Sequence, residues 1–353
     1  MSLIHMDGFD SYAVIADLSQ EYSPTTLYNF STTAGRFGGG ALYLNSGNSS
    51  NGSSEWMGKT LPTATAEVWT GCAVNSISGA TSNGVMMNFL SASGLEVQIL
   101  YNQVSGTWSV YRGQYGNGGT QLGSNITATL SVGVYHWVEF HFVISGTVGV
   151  VEIWIDGVQV LNLTGVNTSY SGATTITALY LGGGFYYYGV GAIKAYFDDW
   201  YILNTSGSHN NTRLGDSRIE TLKPTSDAGP NNGTPSTAGS HYAMVNENQW
   251  ASTNTITITN TSGQEELFGM SSLSGSPSTV NAVRVLAVAE KTDAGACSLE
   301  GVISSSSTVG VAAMNALATS YQHNYAIFET DPHTSAAFTA SSINAMKVGV
   351  EVP

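Results

Sequence analysis

The clearest alternation of apolar and polar positions runs through residues 134–160. In YHWVEFHFVI (135–144) the even positions Val138, Phe140, Phe142 and Ile144 are apolar, whereas Glu139 and His141 fall on the odd face. In VVEIWID (150–156) Val151, Ile153 and Ile155 alternate with Glu152, Trp154 and Asp156. A period of two in β-branched and aromatic residues predicts strands with one buried face. Asp156-Gly157 lies between two such runs, the dipeptide that best fits a two-residue hairpin turn. Three consecutive antiparallel strands are therefore expected here. The remaining residues up to about 208 supply the strands that complete a sandwich around them.

Further strands are predicted at 3–9, at 66–74 (AEVWTGCAV), 85–90 (VMMNFL), 95–101 (LEVQILY) and 106–112 (GTWSVYR). ITALYLGG (176–183) and IKAYFDDWYIL (193–203) follow, and GRFGGGALYL (35–44) reads as a glycine-rich turn feeding a strand. No helical period is visible before residue 205. NTSGSHNN (204–211) is small, polar and nearly uncharged, as a domain boundary should be. Three of the eight prolines then fall within 224–235, which predicts an extended surface arm over 223–238. A second β-rich region contains 254–260, 265–270, 282–290, 298–304, 321–330 and 345–353, with helical turns at 314–320 and 341–346. The expected organisation is all-β: a sandwich over 1–208, a linker and arm over 209–238, and a smaller sandwich over 239–353.

Composition agrees with short strands joined by turns. The chain of 353 residues has 41 glycines and 18 tyrosines, and only 10% of its residues are charged. Low charge signals disorder only when aromatic and β-branched residues are also scarce, and here they are not. The net charge of −14, with ten Lys and Arg in all, argues against nucleic acid and anionic membrane surfaces as partners. No run of 18 apolar residues is present, and MSLIHMDGFD lacks the charged and apolar regions of a secretion signal. The expectation is a soluble protein without a cleaved signal. Cys72 and Cys297 are far apart and are expected as two buried thiols. The Asn-x-Ser/Thr triplets are read as surface composition, not as glycosylation sites.

Several of these segments carry a resemblance. HWVEFHFVI, then VVEIWIDGVQV, then FDDWYIL resemble the strand order of concanavalin A-like and laminin-G-like sandwiches, through Trp137, Asp156-Gly157 and Phe197-Asp198-Asp199. MDGFD (6–10) and GRFGGGAL (35–42) resemble the start of such domains in tailed-phage virion proteins. LGDSRIETLKP (214–224) through HYAMVNE (241–247), with ETDPHTSAAFT (329–339), resembles a module that accompanies them. The resemblance implies an N-terminal concanavalin A-like jelly roll, a smaller C-terminal sandwich, and a structural role on the virion surface. The partners it implies are other tail or capsid proteins, copies of the chain itself (a homo-oligomer, with a trimer suiting phage fibres) and host surface glycans. Tail-fibre attachment and capsid decoration both remain open, as does a polysaccharide-active enzyme of the same fold.

Glucanases on this sandwich need two carboxylates on one strand face. Glu152 and Asp156 share a face, but Asp156 is needed by the turn and no third acid follows. The seven histidines are scattered, and no serine elbow, phosphate loop or Cys/His metal spacing occurs. The expectation is a protein that is not an enzyme. Asp7 and Asp10 end the first strand, and Asp198 and Asp199 lie on the closing strand. If those strands are neighbours, the four carboxylates can meet as ligands of a structural Ca²⁺, the single cofactor considered. The alternative is that they cap turns or face solvent. For sugar stacking, the candidates are Trp108, Tyr111 and Tyr115 beside Asn117, and Tyr186, Tyr187 and Tyr188 in FYYYG (185–189). The competing reading of these rings is as cover for a sheet face or as a subunit interface.

Overall fold

A computed structural model describes residues 2–23, 25–26, 29–46, 55–78, 83–183, 193–247 and 254–353. The chain forms two compact units, one of residues 1–10 and 14–219, the other of residues 11–13 and 220–353. The fold is all-β, as the alternation predicts. No helix among the described residues is long and apolar enough to cross a membrane.

The first unit holds two antiparallel sheets. The eight-stranded sheet runs in the order Val158–Val166, Gly149–Ile155, Tyr135–Val143, Glu67–Ser76, Ile193–Leu203, Ala41–Ser46 and Asn29–Ser31, with Leu3–Asp7 also paired to Ile193–Leu203. The seven-stranded sheet runs Thr120–Thr127, Thr107–Arg112, Gly94–Asn102, Asn83–Ser91, Ile176–Gly182, Trp56–Thr65 and Thr25–Thr26. The three strands expected over 134–160 are present and adjacent, and Asp156 and Gly157 take the positive φ values of 50° and 81° that a type I′ turn requires.

Val138, Phe140, Phe142, Val151 and Ile153 are wholly buried. Phe89, Val97 and Ile99 of the seven-stranded sheet are also wholly buried. Phe89 and Phe142 stack across the interior with centroids 4.3 Å apart. Each such ring contributes on the order of 1.5–3 kcal/mol by leaving water, so the alternation that writes the strands also drives the two sheets together.

Two of the longer strands of this unit escape a reading by alternation. Thr120–Thr127 is an edge strand with most residues exposed, so neither face is apolar. Trp56–Thr65 carries Pro62 and pairs with Thr25–Thr26 at Met57 and Trp56, so among the described residues its second half has no partner on that side, where proline is tolerated. A short 3-10 helix at Ile15–Gln20 has no helical period to announce it.

The odd-numbered face of Tyr135–Val143 turns away from the core but is not open to water. Glu139 is wholly buried. Its carboxylate accepts from the Tyr201 hydroxyl at 2.7 Å, Arg213 Nη1 at 2.8 Å and the Gly215 amide at 2.9 Å. The segment after the last strand is thereby held down over the sheet, with the Arg213 guanidinium 4.3 Å above the Trp154 ring. Gly71 makes this possible, because a Cβ there would lie 2.6 Å from the Tyr201 ring and 2.8 Å from Glu139 Cγ. His141 stacks on Trp69 at 4.1 Å and places its ring nitrogens against Glu67 and Glu152. His136 bonds Asp156 at 2.6 Å and accepts from the Ser131 amide.

The second unit has a five-stranded sheet, Pro224–Asn231, Glu265–Met270, Lys347–Glu351, Glu300–Ser305 and Thr308–Ala313, and a strand pair Val283–Ala289 with Gln322–Phe328. Its core gathers Val285, Leu299, Ile303, Met314, Ala326, Phe338 and Ile343. The stretch read as a linker and arm is divided. Residues up to Ile219 belong to the first unit, and Pro224–Asn231 is an edge strand of the second unit's own sheet. The helical turn expected at 341–346 is the helix Ala340–Ala345, capped by Thr339, which accepts from the Ser342 amide. Residues 314–320, the other expected turn, are not helical, and the strand expected over 254–260 shrinks to Ile256–Thr257.

Candidate functional site: an aromatic sheet face

Register decides which side chains the seven-stranded sheet turns outward. Phe89 pairs with Val97 and Leu179, all core residues, so their neighbours Asn88, Gln98 and Tyr180 take the opposite face. Tyr111 pairs with Gln98, Gln121 with Tyr111, and Gly58 with Tyr180, which extends that face across the sheet. Its floor is a buried amide pair, in which Gln98 Nε2 donates to Asn88 Oδ1 at 3.0 Å and Asn88 Nδ2 donates to the Gly182 and Gly183 carbonyls. Gln98 Oε1 accepts from the Tyr115 amide at 3.1 Å, which anchors the loop 113–119 at one side.

Half-buried rings stand on this floor. Trp56 and Tyr180 stack with centroids 4.6 Å apart. Toward the other edge, Tyr111 and Tyr115 meet edge to face at 4.8 Å and pack on Val85 and Leu100. The Tyr111 hydroxyl donates to Gln121 Oε1 at 3.2 Å. Burial raises the pKa of Tyr111 and of Tyr180 above the ordinary phenol value, so both hydroxyls stay protonated and can donate. Rings presented edge by edge with hydroxyls and amides between them are the apparatus for stacking on a sugar ring and bonding its hydroxyls.

Of the residues nominated for stacking, Tyr111, Tyr115 and Asn117 lie on this side. Asn117 is exposed and its side chain bonds Gln114 Oε1 at 3.0 Å. Trp108 does not belong with them, which corrects the expectation. It shares the inward parity of Val110, is 1% exposed, leans on Tyr101, and donates its indole N–H to the Ala128 carbonyl. Tyr186, Tyr187 and Tyr188 lie outside the described residues. Trp56 and Tyr180 were missed, although Tyr180 alternates visibly against Leu179 and Leu181.

The four carboxylates nominated as calcium ligands separate into a group of three and one apart. Strand Leu3–Asp7 does pair with Ile193–Leu203, Asp7 opposite Trp200. Asp7, however, accepts from the Tyr22 hydroxyl at 2.5 Å and the Phe9 amide at 2.8 Å, in a buried network with His5. Phe9, at a φ of 57°, redirects the chain, and Asp10 accepts from the Gly40 amide instead.

Asp10, Asp198 and Asp199 gather around the loop 35–40. Asp198 accepts from the amides of Arg36 and Asp199, each at 2.7 Å, and Asp199 from the Ile219 amide at 2.6 Å. Asp199 Oδ2 is buried without a hydrogen-bond partner, 3.8 Å from Arg36 Nη1. Burial and mutual repulsion push the Asp198 carboxyl well above the usual range, and burial does the same to Asp199; the charge of Asp10 adds to both. Arg36 is committed to Asp216 through two bonds of 2.6 and 2.7 Å. Among the described residues no group of three His, Cys, Asp or Glu side chains has the arrangement of a metal site.

No protein-family model and no curated protein matches the chain. Among solved structures, the chain is similar to alginate lyase Aly36B at 14% identity and a TM-score of 0.42, covering 56% of this chain and 95% of that one. It is similar to the carbohydrate-binding module CBM66 from Bacillus subtilis at 9% identity and 0.34, over 52% of this chain and 96% of that one. It is also similar to a Trypanosoma rangeli sialidase at 10% identity and 0.34, over 51% of this chain and 26% of that one. These matches are carbohydrate-active or carbohydrate-binding β-sandwich proteins. A lyase and a sialidase stand in this set beside a binding module, against the expectation that the chain is not an enzyme.

Proposed function

We propose that the first unit binds glycans through the outward face of its seven-stranded sheet, and that the chain serves as a host-recognition component on the surface of a tailed-phage virion. The observation that carries the glycan reading is the set of half-buried rings Trp56, Tyr180, Tyr111 and Tyr115 on a rigid amide floor. A pyranose buries its apolar C–H face against a ring while its hydroxyls exchange hydrogen bonds with amides and phenols. The virion reading rests on the resemblance of 6–10, 35–42 and 214–247 to phage proteins. In that reading the second unit docks the chain, and the partly exposed Val309 and Val311 of its edge strand Thr308–Ala313 suit a surface covered by another protein.

The test uses the full chain, fluorescently labelled, on bacterial cells with and without their surface polysaccharide, together with antibody labelling of virions. Retention that depends on the polysaccharide and falls with Trp56→Ala is expected, as is antibody decoration of the virion. Retention unaffected by loss of the polysaccharide overturns the glycan reading, and virions that bind no antibody overturn the location.

A further inference from the structure

The charges of this chain are distributed unevenly. No Asp, Glu, Lys or Arg occurs from Val68 to Leu95, from Gly113 to Val138 or from Gly157 to Ile193. These stretches contain the strands Asn83–Ser91, Thr120–Thr127 and Ile176–Gly182 and the loop 113–119, all of them in or beside the seven-stranded sheet. Of the three charged residues in the strands of that sheet, two point inward, and the third, Glu96, has the outward parity of Gln98 but is covered by residues 170–171. Lys59 has the inward parity of Leu179, is 6% exposed and bonds Glu21 at 2.7 Å. Arg112 pairs with the core residue Val97 and shares its parity. Glu96 is wholly buried, its carboxylate taking the Ser91 and Ser171 hydroxyls and the Tyr170 and Ser171 amides.

We infer that the aromatic face of the seven-stranded sheet selects uncharged glycans and rejects polyuronates and sialylated chains; this rests on the glycan-binding reading above. A carboxylated sugar seated on this face would lose water with no guanidinium or ammonium to replace it. It would also approach a chain of net charge −14, which repels a polyanion over the whole encounter distance. A neutral sugar meets neither cost. The polar groups on or beside the face are hydroxyls and amides, those of Ser109, Tyr111, Tyr180, Gln121 and Asn117, and these both donate and accept as sugar hydroxyls do. Selection here works by omission: among the described residues nothing on the face repels a hydroxyl, and nothing on it compensates a carboxylate.

The experiment is affinity electrophoresis of the full chain in gels containing dextran, mannan, polygalacturonate or polysialic acid, at low and high salt. Retardation by a neutral polymer is expected, with a dissociation constant that changes by less than about two-fold between low and high salt, because no charges are screened. Trp56→Ala and Tyr111→Ala, each checked for folding by circular dichroism, weaken that retardation by about ten-fold. Thr60→Lys and Ser109→Lys place a cation at exposed or half-exposed outward positions and should confer salt-sensitive retardation by polygalacturonate. Retardation of the unmodified chain by an acidic polymer alone overturns the inference and leaves the glycan reading standing. A folded chain that no polymer retards overturns both, and neutral binding indifferent to Trp56→Ala and Tyr111→Ala removes the face from the account.

Discussion

Replacement of Glu139 tests how the segment after the last strand of the first unit is held. The carboxylate is wholly buried and receives three donors, from Tyr201, Arg213 and Gly215. Glu139→Ala leaves a buried hydroxyl and a guanidinium without their acceptor, a loss that runs to about 3–5 kcal/mol where one member of a buried pair is removed. Glu139→Gln keeps an oxygen for Tyr201 and Gly215 but replaces the one that the half-exposed Arg213 faces with a donor amide, so about 1–2 kcal/mol is expected. Arg213→Ala strands a buried carboxylate that still has two donors, and should fall between them at about 2–3 kcal/mol. The arginine side chain is 28% exposed, so part of its charge is already solvated.

Urea unfolding followed by tryptophan fluorescence reads the first unit, since every tryptophan except Trp250 lies in its residue range. In a domain of about 200 residues each kcal/mol lowers the melting temperature by about 2–4 °C. The double variant Glu139→Gln with Arg213→Ala should cost less than the sum of its parts, because both act on one bond. Equal losses for Ala and Gln at 139, or strict additivity with Arg213, would refute the claim that this carboxylate clamps the segment.

Three further outcomes follow from the same geometry. Burial and repulsion lift Asp198 and Asp199 from the ordinary 3.8 to about 8 and about 7. The folded chain then binds more protons than the unfolded one between about pH 4 and neutrality, and these groups make the first unit less stable as pH rises through that window. Denaturation midpoints in chelator-containing buffer check the sign, and Asp199→Asn should flatten the slope. Gly157 has a φ of 81° in the Asp156-Gly157 turn, so Gly157→Ala should cost about 1 kcal/mol in thermal unfolding, with an unchanged fold by circular dichroism. Cys72 is wholly buried and its thiol is pushed far up by burial, whereas Cys297 is half-buried. A thiol reagent should therefore modify Cys297 first and Cys72 only on unfolding, as mass spectrometry of digests would show.

The parts of the fold that a sequence displays are those in which one face of a strand is dry and the other wet. Residues 135–144 and 150–156 obey that condition, and their register, turn and buried face are all legible. Glu139 marks where the logic stops: its parity away from the core is readable, but the later segment that covers it arrives from seventy residues downstream. The acidic group was half legible for a similar reason. The pairing of first and last strands follows from the domain's topology, whereas the divergence of Asp7 from Asp10 depends on the positive φ of Phe9 and on Tyr22, which alternation does not encode. Trp108 could have been placed in the core, since it shares the parity of Val110 within the strand predicted over 106–112. The outward parity of Tyr180 is readable, but its stack on Trp56 is not, because two distant strands must pair before the rings meet.

A crystal structure of the full chain with a neutral oligosaccharide tests the central claim most directly. A pyranose ring lying against Trp56 and Tyr180 or against Tyr111, with its hydroxyls bonded to outward amides and phenols of the seven-stranded sheet, is the predicted result. Sugar bound only at another surface, with these rings uncovered, would contradict it.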